Sequence, residues 1–200
     1  MIQMKQKIKI KEYKYDVFFS YKRDELTLFW MKKLVDHLKH WVTQELGGKK
    51  AKFFFDINNI HTGSDWPVEI REALKTSKCM VGVWTPEYFR SEWCISEWKN
   101  FMLREENLKI NETLIIPIKY HDGEHFPPEA KIRQQFDLTD YACPIEAFWE
   151  SQKAVDLVYK IKEIAPNIAK AIKKAPPFDP EWKEIIIKPE KLSKIAFRSF

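Results

Sequence analysis

The sequence predicts an α/β fold: a parallel five-stranded sheet with helices on both faces. Two observations carry that prediction. Short β-branched and aromatic runs recur at residues 15–21, 52–56, 79–85 and 114–118, each bounded by polar or turn-forming residues as buried strands are. Between them the apolar spacing lengthens to a helical period. Strand and helix alternating in this way build a parallel sheet covered on both sides. Ligands of such sheets bind in the crevice at the C-terminal strand ends.

The first strand, YDVFFSY at 15–21, runs into polar Ser20, Lys22, Arg23 and Asp24. From 25 to 46 the residues Met31, Leu34, Val35, Leu38, Trp41 and Val42 repeat at helical spacing, and Gly47-Gly48 ends the helix. The second strand, KFFFD, leads into a polar loop at 57–66 with Gly63 at its turn. Asp65 is placed to cap a helix that has Pro67 in its first turn and continues through Val68, Ile70, Ala73 and Leu74. CMVGVWT at 79–85 is the third strand and Pro86 breaks it. LIIPI at 114–118 is the fourth, where Pro117 argues for a strand end or an edge. Residues 136–138 form a short fifth strand. Residues 151–174 form an amphipathic helix with an expected kink at Pro166. Residues 1–14 are a basic extension, 15–174 the domain and 175–200 a proline-punctuated tail with one apolar run at 185–187.

A chain of 200 residues, 44% hydrophobic and 32% charged, holds one domain with a substantial core. Eight Trp and 14 Phe give that core large rings. No apolar run is long enough for a membrane span, and the basic N-terminus has no apolar segment of a secretory signal. Cys79, Cys94 and Cys143 are odd in number and widely spaced, which fits reduced thiols and a cytoplasmic location. The net charge of +5 concentrates in lysines at the two ends. Without zinc-finger spacing or a basic region leading into heptads, solvated termini explain it better than nucleic acid does. His121, Asp122, Glu124 and His125 lie in a Gly-containing loop and read as solvated side chains rather than as metal ligands.

The stretch SEWCISEWKNFML, residues 91–103, has no Gly or Pro and opens on Ser91, an N-cap type. Cys94, Ile95, Trp98, Phe101 and Met102 share its apolar side, with Ser96, Lys99, Asn100 and Leu103 turned away. Trp93 and Glu97, four apart, stack at the border of the apolar stripe. A carboxylate beside a large ring at the core's edge can act on a bound ligand. On the helix alone a plain surface glutamate is the default reading. Cys94, on the apolar side, is a buried thiol rather than a nucleophile.

YDVFFSYKRDE, FFFD, HTGSDWPVEIREAL and SKCMVGVWTPEYFRSEWCISEW resemble, in order, the boxes of a Toll/interleukin-1 receptor (TIR) domain, with the best match to the bacterial enzymatic group. The resemblance runs from Tyr15 to Leu138, with the 151–174 helix as its last element. It implies a flavodoxin-like fold and NAD as substrate, with no cofactor and no metal. In enzymatic TIR domains the glutamate of W-C-x-x-E cleaves nicotinamide from NAD, a role that falls to Glu97. The resemblance also implies a substrate-binding set of Ser20, Tyr21, Lys22, Arg23, Gly63, Trp66 and Trp93. The family often has Arg where this chain has Lys22, so the bidentate fork is lost though the charge is kept. Asp56 ends the second strand as the family expects, as a loop-shaping residue or as a ligand.

The loop after the second strand takes part in TIR–TIR association in this family, so self-association is expected. A stand-alone chain of this type fits a signal-making enzyme with a separate effector, as in bacterial anti-phage systems of the Thoeris kind. An injected virulence factor or a non-catalytic adaptor is the alternative. A phosphate-binding receiver-like fold is disfavoured, because Ser20, Lys22 and Arg23 stand where it needs an acidic cluster for Mg²⁺.

Overall fold

The computed structural model describes residues 12–55, 66–108 and 113–182. The elements are β1 (Tyr15–Tyr21), α1 (Leu28–Glu45), β2 (Phe53–Phe54), α2 (Trp66–Lys75), β3 (Ser77–Trp84), α3 (Glu92–Leu108), β4 (Ile115–Lys119), α4 (Pro128–Lys131), β5 (Phe136–Asp137) and α5 (Gln152–Lys174). Every strand pair is parallel and the sheet order is β2-β1-β3-β4-β5. That is the flavodoxin-like order, whose direction of winding reverses at β1/β3.

Alternation along the strands sorts the core into two halves. Val17, Phe19 and Tyr21 of β1, with Cys79, Val81 and Val83 of β3, pack under α1 and α5. Phe18 of β1, with Met80 and Trp84 of β3, packs under α2 and α3. Ser20 shares the parity of Phe18, so its side chain belongs to the α2/α3 half. It lies opposite Gly82 in register. A Cβ at Gly82 would stand 2.8 Å from Trp84 Nε1 and 3.0 Å from Met80 Cε, so only glycine fits beneath that buried indole.

Several local outcomes differ from the sequence reading, each for a definable reason. The α1 helix starts at Leu28 rather than near residue 25, because the Asp24 carboxylate accepts long bonds from the Leu26 and Thr27 amides, 3.4 and 3.3 Å, forming a turn first. At the other end Gly47 and Gly48, both at positive φ, return their amides to Gln44 and Thr43 carbonyls and close the helix. Ser96 and Asn100 of α3 are buried, not turned to solvent. Each satisfies itself on its own helix, Ser96 Oγ donating to Glu92 O and Asn100 Nδ2 to Ser96 O, which makes burial of short polar groups tolerable.

Pro117 lies inside β4, which has neighbours on both sides. Leu114 and Lys119 direct their carbonyls to β3 and β5 respectively. By alternation the nitrogen of Pro117 points toward β5, and pairing with β5 begins only at Ile118. The missing N–H therefore falls where β4 is locally an edge. In α5, Pro166 sits inside one helix without ending it, and Ser151 caps the start by accepting from Ala154 N.

The segment leading into β1 and the one leaving α5 meet beside α3. Tyr13 OH donates to Pro176 O at 3.0 Å and its ring meets Phe178 edge-on. Trp182 lies over the guanidinium of Arg104 at 4.4 Å. Arg104 is buried and donates to the carbonyls of Ser77 and Leu74, joining α3 to the start of β3 and the end of α2.

Candidate functional site

The site forms where β1 and β3 end. Beyond Trp84 a short 3-10 turn, Tyr88–Arg90, leads into α3. Thr85 Oγ1 accepts the Tyr88 amide at 3.0 Å and fixes that turn. Ser91 then starts α3, its carbonyl accepting from Ile95 N at 2.9 Å and its hydroxyl reached by Cys94 N at 3.5 Å. This start sets the phase of the helix. Cys94 and Glu97 face the end of β1, and Trp93 stands half-buried beside them. The Cys94 thiol donates to Tyr21 O at 3.6 Å and pins helix to strand.

Glu97 is 8% exposed, a carboxylate at the boundary of the core. Ser20 Oγ donates to Glu97 Oε2 at 2.6 Å, a short charge-assisted bond. Behind it, the Tyr88 hydroxyl lies 2.8 Å from the same Ser20 Oγ. Burial above all, with Cys94 and Glu97 adding to it, pushes the Tyr88 phenol well above its usual range. The Cys94 thiol is pushed up to about 12, first by burial and then by the Glu97 charge. Both groups are thus neutral near pH 7.

In front of the carboxylate is a cleft of about 90 Å³. Tyr21, Lys22, Arg23, Trp93, Cys94 and Glu97 line it, with Phe54 and Ile70 on its apolar side. Lys22 and Arg23 are exposed, so the cleft has a cationic mouth over a buried acid. The structure therefore gathers Tyr21, Lys22, Arg23, Trp93 and Glu97 around one space. Ser20 does not line that space; its hydroxyl is taken up by Glu97 and Tyr88. Trp66 opens α2, and its side chain lies outside what the structure describes, as do Gly63 and Asp56. Sequence reasoning missed Tyr88. Its signal was available: an aromatic residue with a hydroxyl in the turn leaving the C-terminal end of β3, where the ligand crevice of this topology lies.

A larger cavity of about 470 Å³ lies on the other side of α3, between Phe89, Trp98, Met102 and the loop bearing His125 and Pro127. It has no carboxylate backed by a buried hydrogen-bond chain, so the smaller cleft at Glu97 is the better candidate for chemistry. Among the described residues no three His, Cys, Asp or Glu side chains are grouped to hold a metal ion. Among the same residues no helix is long and apolar enough to cross a membrane.

Residues 17–151 match the sequence profile of the TIR domain family. The disease resistance protein RUN1 of Vitis rotundifolia is 32% identical over 112 residues, which are 56% of this chain and 8% of that protein. Among solved structures, the TIR domain of the Toll-related receptor TRR-2 from Hydra magnipapillata is 21% identical, with a TM-score of 0.45 over 72% of this chain and 98% of that one. The TIR domains of the activated Roq1 resistosome, which directly recognises the pathogen effector XopQ, are 20% identical, with a TM-score of 0.38 over 78% of this chain and 84% of that one.

Proposed function

This chain belongs to the TIR domain family, and on that premise we propose that it cleaves the bond between nicotinamide and ribose in NAD, with Glu97 as the catalytic residue. The observation that carries the reading is the Glu97 carboxylate, buried, held from behind by Ser20, and facing a cleft walled by Trp93 beneath the cations of Lys22 and Arg23.

The chemistry suits a site with one carboxylate. Glycosidases ordinarily need a second carboxyl to protonate the leaving group. In NAD the nicotinamide nitrogen is already cationic. When the bond from the ribose anomeric carbon to that nitrogen breaks, the electron pair passes to the ring and nicotinamide leaves neutral. Positive charge appears on the anomeric carbon and ring oxygen, and an adjacent fixed carboxylate stabilises it. Trp93 offers a flat wall to the departing ring, and Lys22 and Arg23 offer charge to the diphosphate. Water adding to the carbon and losing a proton gives ADP-ribose. Capture by an adenine or ribose group of the same molecule gives a cyclic product instead, if the site excludes water and folds the substrate.

The enzymatic pattern Trp93-Cys94-x-x-Glu97 supports this reading over the alternative of a non-catalytic TIR adaptor or virulence factor. The proposal extends to a bacterial anti-phage role in which the nucleotide product signals to a separate effector. Pure protein incubated with NAD and followed by mass spectrometry tests the chemistry. Nicotinamide should appear with ADP-ribose or its cyclic isomer, and Glu97→Gln should lower the rate by roughly a hundredfold or more with an unchanged melting temperature. Intact NAD at high concentrations of folded wild-type protein, or full turnover in the Gln variant, would refute it.

A further inference from the structure

We infer that Ser20 and Tyr88 are positioning residues, a buried relay in which the Tyr88 phenol donates to Ser20 and Ser20 donates to Glu97. The inference rests on the reading of Glu97 as the catalytic residue and adds to it how that carboxylate is held. It begins from a proton count. Ser20 has one hydroxyl hydrogen, and with Glu97 ionised that hydrogen lies on the 2.6 Å bond to Oε2. The 2.8 Å contact between Ser20 Oγ and the Tyr88 oxygen then needs its hydrogen from Tyr88. The direction of the chain is fixed: tyrosine to serine to carboxylate.

The surroundings suit that role. Ser20 is 1% exposed and Tyr88 is wholly buried, so water does not compete for either bond. Burial keeps the phenol protonated, so it remains a donor across the working pH range. Each donor–acceptor bond polarises the next in a low-dielectric setting, so the phenol strengthens the serine bond without touching the carboxylate. The Ser20 hydroxyl bonds one carboxylate oxygen, Oε2, from a buried position. It also holds the carboxylate in one orientation while positive charge develops before it. The titratable and charged residues that line the cleft with Glu97 are Tyr21 on β1, Lys22 and Arg23 beyond it and Cys94 on α3, with Tyr88 behind Ser20 on the turn; α2 contributes the apolar Ile70 to the cleft.

Packing alone would require only the ring of Tyr88, and Tyr88→Phe keeps the ring. The test compares wild type, Ser20→Ala, Tyr88→Phe and the double variant, in which neither hydroxyl is left without its partner. Carboxyl-carbon NMR follows the titration of Glu97, and NAD turnover is measured on the same samples. The relay predicts a higher Glu97 midpoint in Ser20→Ala and a smaller rise in Tyr88→Phe. It predicts that kcat falls roughly tenfold or more in Ser20→Ala and less in Tyr88→Phe, with KM within about twofold of wild type. The double variant should match Ser20→Ala alone, because the phenol acts only through the serine. An unmoved midpoint in both folded single variants, or strictly additive effects in the double variant, would overturn the relay. The NMR arm needs no catalysis. Movement of the midpoint in a protein that leaves NAD intact would sustain the relay and sink the NAD reading, and the reverse pattern would do the opposite.

Discussion

Trp93 and Cys94 are neighbours on α3 that should respond to substitution in opposite ways. Trp93 stands half-buried on the cleft wall, so Trp93→Ala should weaken NAD turnover more than stability. A core tryptophan would instead lose about 3–5 kcal/mol on truncation, and chemical denaturation read beside activity separates the two. Cys94 is buried, with its thiol pushed up from 9.0 to about 12. The unfolded thiol ionises above about pH 9 while the folded one stays neutral, so the folded state binds more protons in that window. The stability that the buried Cys94 thiol contributes is therefore fully present below pH 9 and is lost as pH rises toward 12. Cys79, raised further by burial, acts in the same direction. Iodoacetamide at pH 8 should label the partly exposed Cys143 first and spare both buried thiols until the protein unfolds; peptide mass spectrometry reads the order, and early labelling of Cys94 would show that its helix opens in the native state.

At the scale of elements, Gly82 shows how tightly β3 is matched to its neighbours. Gly82→Ala places a methyl group within 2.8 Å of the indole nitrogen of Trp84, a residue with no exposure of its own. The indole meets Trp98 at 5.7 Å and Phe89 at 5.2 Å between ring centroids, and it cannot yield without moving them. Overpacking of this kind costs about 1–3 kcal/mol, measurable as a lower urea midpoint at unchanged slope. Because Gly82 pairs with Ser20 in register, turnover should fall by more than the stability loss explains. Sequence periodicity made the strands and α1, α3 and α5 legible, since apolar spacing follows the layer each element contacts. It misassigned Ser96 and Asn100, because a polar side chain bonded to its own helix can be buried and period alone does not reveal the bond. The alternation of strands and helices placed the loops after β1 and β3 at one mouth, and the TIR resemblance picked out Glu97, Trp93, Lys22 and Arg23 there, but neither pointed to Tyr88. The Tyr88 partnership joins residues 68 apart in sequence and exists only once β1 and β3 lie side by side.

The whole molecule raises a question of size. Small-molecule sites usually enclose about 300–1,000 Å³, and the cleft before Glu97 holds about 90 Å³. That is room for part of the nicotinamide end, with ribose, diphosphate and adenine left outside the space the described residues enclose. On the NAD reading, the site therefore needs surface beyond the described residues, from this chain or from a second copy. A second copy supplies such surface in any arrangement where one protomer covers the mouth of another. A contact of that kind joins two different surfaces, so it can repeat from copy to copy and build filaments rather than closed dimers. Surface from a second copy would deepen the enclosure of the Glu97 carboxylate, and electrostatic stabilisation strengthens as water is excluded. Specific activity should consequently rise with protein concentration over a hundredfold dilution series, in step with the mean mass from light scattering. Crowding agents should shift the rise to lower concentration. Substitution of Lys22 or Arg23 at the mouth should lower the activity of the assembled form without changing the melting temperature of the monomer. A strictly monomeric species with constant specific activity across the series would mean that one chain encloses NAD by itself, and self-association would then have no part in the chemistry.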